Sequence, residues 1–254
     1  MNASFLPRRI LHLTDTHLCD DPDGTFEGIN ILTSLKQVIG MAQRDHWPAD
    51  ALVLTGDLAN EGGEGAYLNL RRCLNQLSVP AYCIAGNHDD LKLMQRILPG
   101  GNLHLTQHTL LGGWSLVFLN TYAPGKTGGH LDDAELQFLE ASLQSHPRRP
   151  TLVFLHHPPV SIGSRWLDVI GLENPEAFFA VLDRFEQVRG VLWGHAHQAF
   201  AAMRHGVRLL GTPSTCAQFK PGAERYTIDT QRPGYRWLVL QPDGALDTGI
   251  QRLP

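Results

Sequence analysis

The segment AYCIAGNHDD, residues 81–90, sets the pattern that much of the chain repeats. Its first five residues are apolar, and a run of this length is typical of a buried β-strand. Directly after the run, Gly86-Asn87-His88-Asp89 brings an amide, an imidazole and a carboxylate to the carboxyl end of the strand. A turn does not require asparagine and histidine together, so this cluster indicates a binding or catalytic role.

Four other His/Asp clusters follow apolar runs of similar length. They are Asp15-Thr16-His17, Gly56-Asp57, His156-His157-Pro158 and Gly194-His195-Ala196-His197. Each cluster alone is compatible with a turn, a helix cap or a buried core histidine. All five follow predicted strands, however, and the carboxyl ends of strands in a layered α/β fold form one binding edge. We therefore expect the five clusters to converge.

The segments between the predicted strands carry apolar residues at helical spacing. These segments lie near residues 29–41, 67–77, 136–143 and 178–185. Alternating strands and helices predict an α/β fold, and the 254 residues are interpreted as one domain, 1–254, with a substantial core. The last predicted strands are residues 207–210 and 235–240, with a hairpin-like segment around Tyr226-Thr227-Ile228 between them.

The composition excludes several functional classes. Hydrophobic residues make up 43% of the chain, charged residues 18%, and the net charge is -4, so no basic field favours nucleic acid or an anionic membrane. No apolar run is long enough to span a bilayer, and the amino terminus lacks the pattern of a secretion signal. The four cysteines are irregularly spaced, which favours a reduced, cytoplasmic protein.

Converging clusters would supply two carboxylates, one carboxamide and several imidazoles. This mixture of nitrogen and oxygen ligands suits Mn²⁺, Fe or Zn²⁺ better than Ca²⁺ or Mg²⁺. The sequence therefore predicts a metal site.

In this order and over residues 8–215, the five clusters resemble the calcineurin-like metallophosphoesterases. Within that superfamily the chain is most similar to the class III cyclic nucleotide phosphodiesterases, a resemblance that extends to Gly28-Ile29-Asn30, Pro213-Ser214-Thr215-Cys216 and Pro233-Gly234-Tyr235-Arg236. The resemblance implies a four-layer α/β/β/α sandwich, in which two mixed sheets are flanked by helices.

The resemblance also implies two divalent metal ions, with iron or manganese first and zinc as the alternative. The positions that match the ligands of the first metal are Asp15, His17, Asp57 and His197. Those that match the ligands of the second are Asp57, Asn87, His156 and His195, so that Asp57 bridges. His156 rather than His157 is chosen because the family's ligand stands two residues before the proline, here Pro158; His157 is then given a packing role.

The implied reaction is hydrolysis of 3′,5′-cyclic AMP to 5′-AMP by in-line attack of a metal-bound hydroxide. His88 is not needed to complete either metal and is interpreted as the group that contacts the phosphate and protonates the leaving oxygen. The expected substrate contacts are His17, Asp57, Asn87, His88 and His197. Asp89 has two open interpretations: it orients the His88 imidazole, or it caps the helix that begins at Asp90.

Two alternatives stay open at this point. The same chemistry could act on another phosphodiester, such as a glycerophosphodiester, a 2′,3′-cyclic nucleotide or a nucleotide pyrophosphate, because the motifs specify phosphate and metals but not the alcohol or base. The segments expected to set specificity are 20–28, 91–99 and 160–173. The more remote alternative is a non-catalytic scaffold on the same fold. A homodimer is compatible with the family, but no feature of the sequence indicates it.

Overall fold

The structure, a computed structural model, describes residues 6–254. The first residues of the amino-terminal segment, on which the expectation of no secretion signal partly depends, lie outside this range. Within it, no helix is both long and apolar enough to cross a membrane.

The described residues form fourteen strands and six helices. The strands are β1 (Arg8–Leu13), β2 (Thr25–Phe26), β3 (Ile29–Asn30), β4 (Ala51–Thr55), β5 (Ala81–Ile84), β6 (Leu103–His104), β7 (His108–Leu111), β8 (Trp114–Phe118), β9 (Thr151–Phe154), β10 (Val188–Trp193), β11 (Phe200–Arg204), β12 (Val207–Gly211), β13 (Gly234–Leu240) and β14 (Leu246–Arg252). The helices are α1 (Ile31–His46), α2 (Glu64–Leu74), α3 (Leu91–Ile97), α4 (Asp133–Ser145), α5 (Arg165–Asp168) and α6 (Pro175–Leu182).

Most of the strands belong to two six-stranded mixed sheets. The first sheet has the order β14-β13-β1-β4-β5-β6, and the second has the order β11-β12-β10-β9-β8-β7. In the first sheet the pairs β1–β4, β4–β5 and β5–β6 are parallel, and the antiparallel pairs lie toward the β14 edge. In the second sheet the central pairs are parallel and an antiparallel pair lies at each edge. The parallel strands of each sheet end at the same edge, and the five clusters directly follow these carboxyl ends.

Three apolar clusters separate the layers. One packs α1, α2 and α3 on the outer face of the first sheet, and a second packs α4 and α6 on the outer face of the second sheet. The third joins the inner faces of the two sheets, with Ile10, Val53 and Leu238 against Leu116, Phe154 and Leu192. The fold is therefore the expected four-layer α/β/β/α sandwich.

Three details near the ends and loops go beyond the sequence-based prediction. The chain does not close at residue 240, because β14 pairs with β13 along its whole length. The polar loop after residue 20 contains the small β2–β3 hairpin. The hairpin-like segment near residue 227 is confirmed, since Phe219 and Ile228 form an antiparallel bridge and the Lys220 amide donates to Thr227 at 2.8 Å.

Candidate metal centre

The five predicted clusters meet at the carboxyl ends of strands from both sheets. In the first sheet, β1 precedes Asp15 and His17, β4 precedes Asp57, and β5 precedes Asn87. In the second sheet, β9 and β10 precede the histidine pairs 156–157 and 195–197. Each cluster lies within four residues of its strand, so the site is fixed by short loops on two packed sheets.

Five of the seven predicted ligands have a left-handed backbone. The φ angles of Asp15, His17, Asp57, His195 and His197 lie between 46° and 61°. This conformation is uncommon for residues other than glycine and marks stored strain, which concentrates at functional sites. The surrounding loops therefore hold these side chains in place at a conformational cost.

The two sheets are tied together at Asp15 by hydrogen bonds that span most of the chain. The backbone amide of His195 donates to both carboxylate oxygens of Asp15 at 3.0 Å, although 180 residues separate the two. The next residue back, Gly194, has no room for a side chain, because a Cβ there would collide with the hydroxyl of Thr14 and the carboxylate of Asp15. The close approach of the loops thus requires glycine at this position.

Asp15, His17 and His197 form the first group of donors. His197 Nδ1 donates to the carbonyl oxygen of Ala217 at 2.7 Å, so its Nε2 is the nitrogen that faces the group. That Nε2 lies 3.0 Å from His17 Nε2 and 3.4 Å from an oxygen of Asp15. One possible ligand atom from each residue falls within 4.8 Å of the others.

Asp57, Asn87, His156 and His195 form the second group. His156 Nδ1 donates to the carbonyl oxygen of Thr55 at 2.6 Å, which leaves Nε2 at 3.3 Å from Asp57 Oδ2 and 3.2 Å from Asn87 Oδ1. His195 Nδ1 lies 3.0 Å from the same Asn87 oxygen. Because Asp57 Oδ2 is also 3.8 Å from His17 Nε2, Asp57 stands between the two groups.

Burial and charge prepare most of these side chains as ligands. Burial alone would raise the pKa of Asp57, but attraction to His156 and to other nearby imidazoles holds it well below the usual value. Burial lowers the pKa values of His17 and His195 to about 3, so both are neutral at pH 7. Burial would also lower the pKa of His156, yet the Asp57 carboxylate raises it to about 9. A cation entering beside His156 therefore has to displace a proton.

The geometry separates His156 from its neighbour. His157 is fully buried, its Nδ1 lies 2.7 Å from the hydroxyl of Thr121, and its Nε2 donates to the carbonyl oxygen of Thr127 at 3.2 Å. Both of its ring nitrogens are therefore engaged outside the two donor groups, whereas His156 Nε2 faces Asp57 and Asn87. This arrangement favours His156 as the ligand and a packing role for His157.

His88 is placed differently from the buried histidines, because its side chain is exposed. Its amide donates to Asp57 Oδ1 at 2.9 Å, and its Nδ1 donates to the carbonyl oxygen of Asn60 at 2.8 Å. The ring stands 5.0 Å from the ring of His17, measured between centroids. Among residues 6–254, no group forms a hydrogen bond with the other ring nitrogen, Nε2.

Both sequence-based interpretations of Asp89 are wrong. Its buried carboxylate does not contact His88; it accepts hydrogen bonds from the amides of Gly86, Leu58 and Ala59 and from the hydroxyl of Tyr67, at 2.8–3.2 Å. The cap of α3 is Asp90, whose side chain accepts from the amides of residues 92 and 93. Asp89 is instead buried between the loop after β4 and the loop after β5, and its hydrogen bonds join the two loops. The neighbouring His88 side chain is exposed.

Two aromatic rings beside the centre were missed by the sequence-based reasoning. Phe26 stacks on His17 with ring centroids 5.0 Å apart, and Phe219 stacks on His197 at 4.1 Å. Neither ring belongs to a motif: Phe26 ends the short strand β2, inside the segment 20–28 that was expected to set specificity, and Phe219 lies in the loop between β12 and β13. The carbonyl of Asn60 was also beyond prediction, because a backbone contact leaves no signal in residue type.

The residues present fit a pair of divalent cations. They supply two groups of buried nitrogen and oxygen donors, and Asp57 Oδ2 lies 3.3 Å from His156 Nε2 and 3.8 Å from His17 Nε2. His17 Nε2 also lies 3.0 Å from His197 Nε2, and donor atoms gathered this closely in a buried site fit a cation held among them. Imidazole, carboxylate and carboxamide together suit Mn²⁺, Fe or Zn²⁺.

A protein-family comparison agrees with this centre. The model described as calcineurin-like phosphoesterase matches residues 8–199, a range that contains all seven predicted ligands and His88. The chain therefore belongs to the calcineurin-like phosphoesterase family.

Individual relatives are similar over almost their full length. The chain is 41% identical to the 3′,5′-cyclic adenosine monophosphate phosphodiesterase CpdA of Pseudomonas aeruginosa, over 96% of this chain and 89% of that protein. It is 38% identical to a 3′,5′-cyclic-nucleotide phosphodiesterase of a Nostoc species, over 98% and 94%. Among solved structures, a dimetal phosphatase from Danio rerio shares the fold with a TM-score of 0.65, 13% identity and coverage of 97% and 99%.

Proposed function

We propose that this protein is a binuclear metal-dependent phosphodiesterase that hydrolyses 3′,5′-cyclic AMP to 5′-AMP. The observation that carries the proposal is the double cluster of donors that share Asp57, with the free Nε2 of His88 beside it. The metal ligands are proposed as Asp15, His17, Asp57, Asn87, His156, His195 and His197. Two divalent ions bound there would neutralise phosphate charge and make water a stronger nucleophile at neutral pH.

The chain itself supplies a rigid frame for the phosphate. With two divalent cations the charges of Asp15 and Asp57 are outweighed, and the neutral Asn87 adds none, so the centre attracts a phosphodiester anion. The imidazole of His88 is exposed and stands 5.0 Å from the ring of His17, which supports its proposed contact with the phosphate. His17, Asp57, Asn87, His88 and His197 are proposed as the residues nearest the substrate.

His88 is proposed as the acid of the reaction. Water adds to phosphorus in line with the 3′ oxygen, the bond from phosphorus to that oxygen breaks, and the departing oxygen takes the Nε2 proton of the His88 imidazolium; the proton lost by the attacking water restores the imidazolium. The Asn60 carbonyl accepts the Nδ1 proton and so keeps Nε2 directed away from the protein backbone. In many catalytic sites a carboxylate orients the histidine ring, and here the Asn60 carbonyl has that proposed role.

The choice of cyclic AMP rests on the relatives. Several similar proteins are described as 3′,5′-cyclic AMP phosphodiesterases, and the similarity extends beyond the metal motifs to nearly the whole chain. Iron or manganese is proposed as the native metal, with zinc as the alternative. A single domain over residues 1–254 is part of the proposal, as is a cytoplasmic location, which the four free cysteines support.

The test is hydrolysis by purified protein supplied with Mn²⁺ or Fe²⁺. Turnover of 3′,5′-cyclic AMP is compared with that of 2′,3′-cyclic AMP, a glycerophosphodiester and bis-p-nitrophenyl phosphate, and the products are separated by chromatography. We expect 5′-AMP as the sole nucleotide product and the highest kcat/KM for 3′,5′-cyclic AMP. The Asp57→Ala variant is expected to lose bound metal and activity together, because Asp57 lies between both donor groups.

Two results would contradict the proposal in different ways. Equal kcat/KM for cyclic AMP and a generic diester would remove the substrate assignment but keep the phosphodiesterase. Absence of bound transition metal, with no activity after Mn²⁺ or Fe²⁺ is added, would instead favour a scaffold.

A further inference from the structure

Four aromatic rings extend outward from one side of the metal centre. Phe219, stacked on His197, meets Trp166 edge-on at 5.1 Å and Tyr226 at 5.2 Å, and the last two rings are themselves 5.2 Å apart. Phe26 covers His17 on the same side. We call Phe26, Trp166, Phe219 and Tyr226 the aromatic wall. None of the four is needed as a metal ligand or as the acid.

Buried polar contacts hold the aromatic wall to the ligand loop. The side chain of Gln198, which follows His197, donates to the hydroxyl of Ser164 at 3.1 Å, and Ser164 also accepts from the amide of Gly222 at 3.0 Å. Ser164 and Gln198 are both buried, and Ser164 directly precedes the short helix α5 that carries Trp166. These hydrogen bonds therefore connect the loop that carries His197 to the helix that carries Trp166.

A second contact connects the two loops that carry the rings. The Tyr226 hydroxyl donates to the Glu27 carboxylate at 2.7 Å, which links the loop of Phe219 to the β2–β3 hairpin of Phe26. The Tyr226 side chain nevertheless remains 50% exposed, and Trp166 is only half-buried. Phe219 itself is buried, so the aromatic surface that is held in position and left open belongs to Tyr226 and, in part, to Trp166 and Phe26.

We infer that the aromatic wall is the subsite for the purine base of the substrate. The inference rests on the proposed function, since a cyclic nucleotide carries its base one ribose away from the phosphate. The rings of Trp166 and Tyr226 are one ring contact beyond Phe219, which itself lies 4.1 Å from the His197 ring. A base stacks on aromatic side chains through its π-face, and such stacking contributes roughly five- to 150-fold in affinity per base. The wall would then favour nucleotides over diesters that lack a base.

The test compares two ligands that differ only in the base. Calorimetric titration of the Mn²⁺-loaded protein measures the Kd of 5′-AMP and of ribose 5-phosphate. We expect 5′-AMP to bind at least about tenfold more tightly, and Trp166→Leu to weaken 5′-AMP by about tenfold while leaving ribose 5-phosphate unchanged. Trp237→Leu is the matched control, because Trp237, in β13, is also half-buried and stacks on His46 at the end of α1. This variant should change neither Kd.

A second pair of variants, at Tyr226, tests the same inference even where Trp166→Leu does not fold. Tyr226→Leu should weaken 5′-AMP selectively, whereas Tyr226→Phe, which keeps the ring and loses the bond to Glu27, should retain most of the affinity. Equal affinity of the wild type for the two ligands, or equal weakening of both by the Leu variants, would overturn the subsite. If cyclic AMP is still hydrolysed in that case, the proposed function stands without the subsite. Selective 5′-AMP binding without hydrolysis would keep the subsite and refute the function.

Discussion

Among single residues, the contrast between His88 and the proposed ligands is the most informative. The seven ligand side chains face one another, six of them fully or almost fully buried, whereas the His88 ring is exposed and anchored only through Nδ1 and its amide. This exposure fits the proposed contact with the substrate, while a ring nitrogen of His88 also lies within 4.8 Å of possible ligand atoms of His17 and Asp57, so the metal content of a His88 variant decides between the two roles. It also gives a direct way to separate catalysis from metal binding.

The His88→Ala variant should keep both metals and lose most of its turnover. Removal of a general acid typically lowers kcat by about 10²- to 10⁴-fold, while none of the proposed ligands is altered. Metal content by mass spectrometry and kcat with cyclic AMP are measured together. His104→Ala, which removes another exposed histidine, serves as the control and should match wild type. Loss of metal from His88→Ala would show that His88 is a ligand.

Asp89 and Asp90 are adjacent carboxylates with different structural duties, and their alanine variants should differ in stability. Asp89→Ala leaves four buried donors without an acceptor, so we expect the free energy of unfolding to fall by at least about 3 kcal/mol. Asp90→Ala loses only a helix cap, which costs about 1 kcal/mol. Urea unfolding measures both. A larger loss in Asp90→Ala would refute the assignment of Asp89 as the link between the loops.

At the scale of elements, the loops after the central strands depend on glycine where they touch. Gly194→Ala is expected to lower metal content and stability, because the new Cβ would push Thr14 and Asp15 away from the second sheet. Gly40→Ala is the matched control in the middle of α1, where the site is exposed and nothing lies within 4 Å of the new atom. That change should raise the free energy of unfolding by about 0.5–1 kcal/mol. Thermal unfolding and metal analysis are carried out on both variants. A Gly194→Ala variant with the stability and metal content of the wild type would contradict the steric argument.

The sequence predicted the elements that carry strong periodic patterns, and it missed those that lack them. The fully apolar runs at β4 and β9 and the helical faces of α1 and α2 were recognisable because burial alone dictates them. The strand β14, with glycine and several polar residues in LDTGIQR, has no such pattern and is formed by pairing with β13. Converging clusters could be inferred from strand ends. For the aromatic wall only the segments 20–28 and 160–173 could be indicated, which contain Phe26 and Trp166, whereas Phe219 and Tyr226 lie in an unpatterned loop.

For the whole molecule, a buried histidine links stability to pH. His12 lies between the sheets, with Nε2 at 2.8 Å from the hydroxyl of Thr55 and Nδ1 at 2.7 Å from that of Thr212. Burial, with a further contribution from the charge of Arg236, lowers its pKa from 6.5 to about 3. Between these values the unfolded chain binds a proton at this site and the folded chain does not. Folding is therefore weakened as the pH falls below about 6.5.

Replacing His12 should change the slope of the free energy of unfolding plotted against pH. In the wild type the free energy of unfolding should fall by up to about 1.4 kcal/mol per pH unit for this one histidine between pH 6 and 4. His12→Gln should remove that share of the slope, even if it lowers stability at pH 7. His205→Gln, at an exposed site, should keep the wild-type slope. Identical slopes in all three proteins, measured by urea unfolding, would contradict the role of His12.

The 180 residues between Asp15 and His195 also affect how the protein is made. A ribosome that adds about 5–20 residues per second needs roughly 10 to 40 s to pass from one to the other. During that interval the nascent chain offers its early donors, Asp15 and Asp57 among them, without the histidines that complete either group. A cation captured in that period would be held by an open, partial shell and could exchange. The complete set of proposed ligands therefore exists only after the last histidine loop has been synthesised and has closed against the first strand.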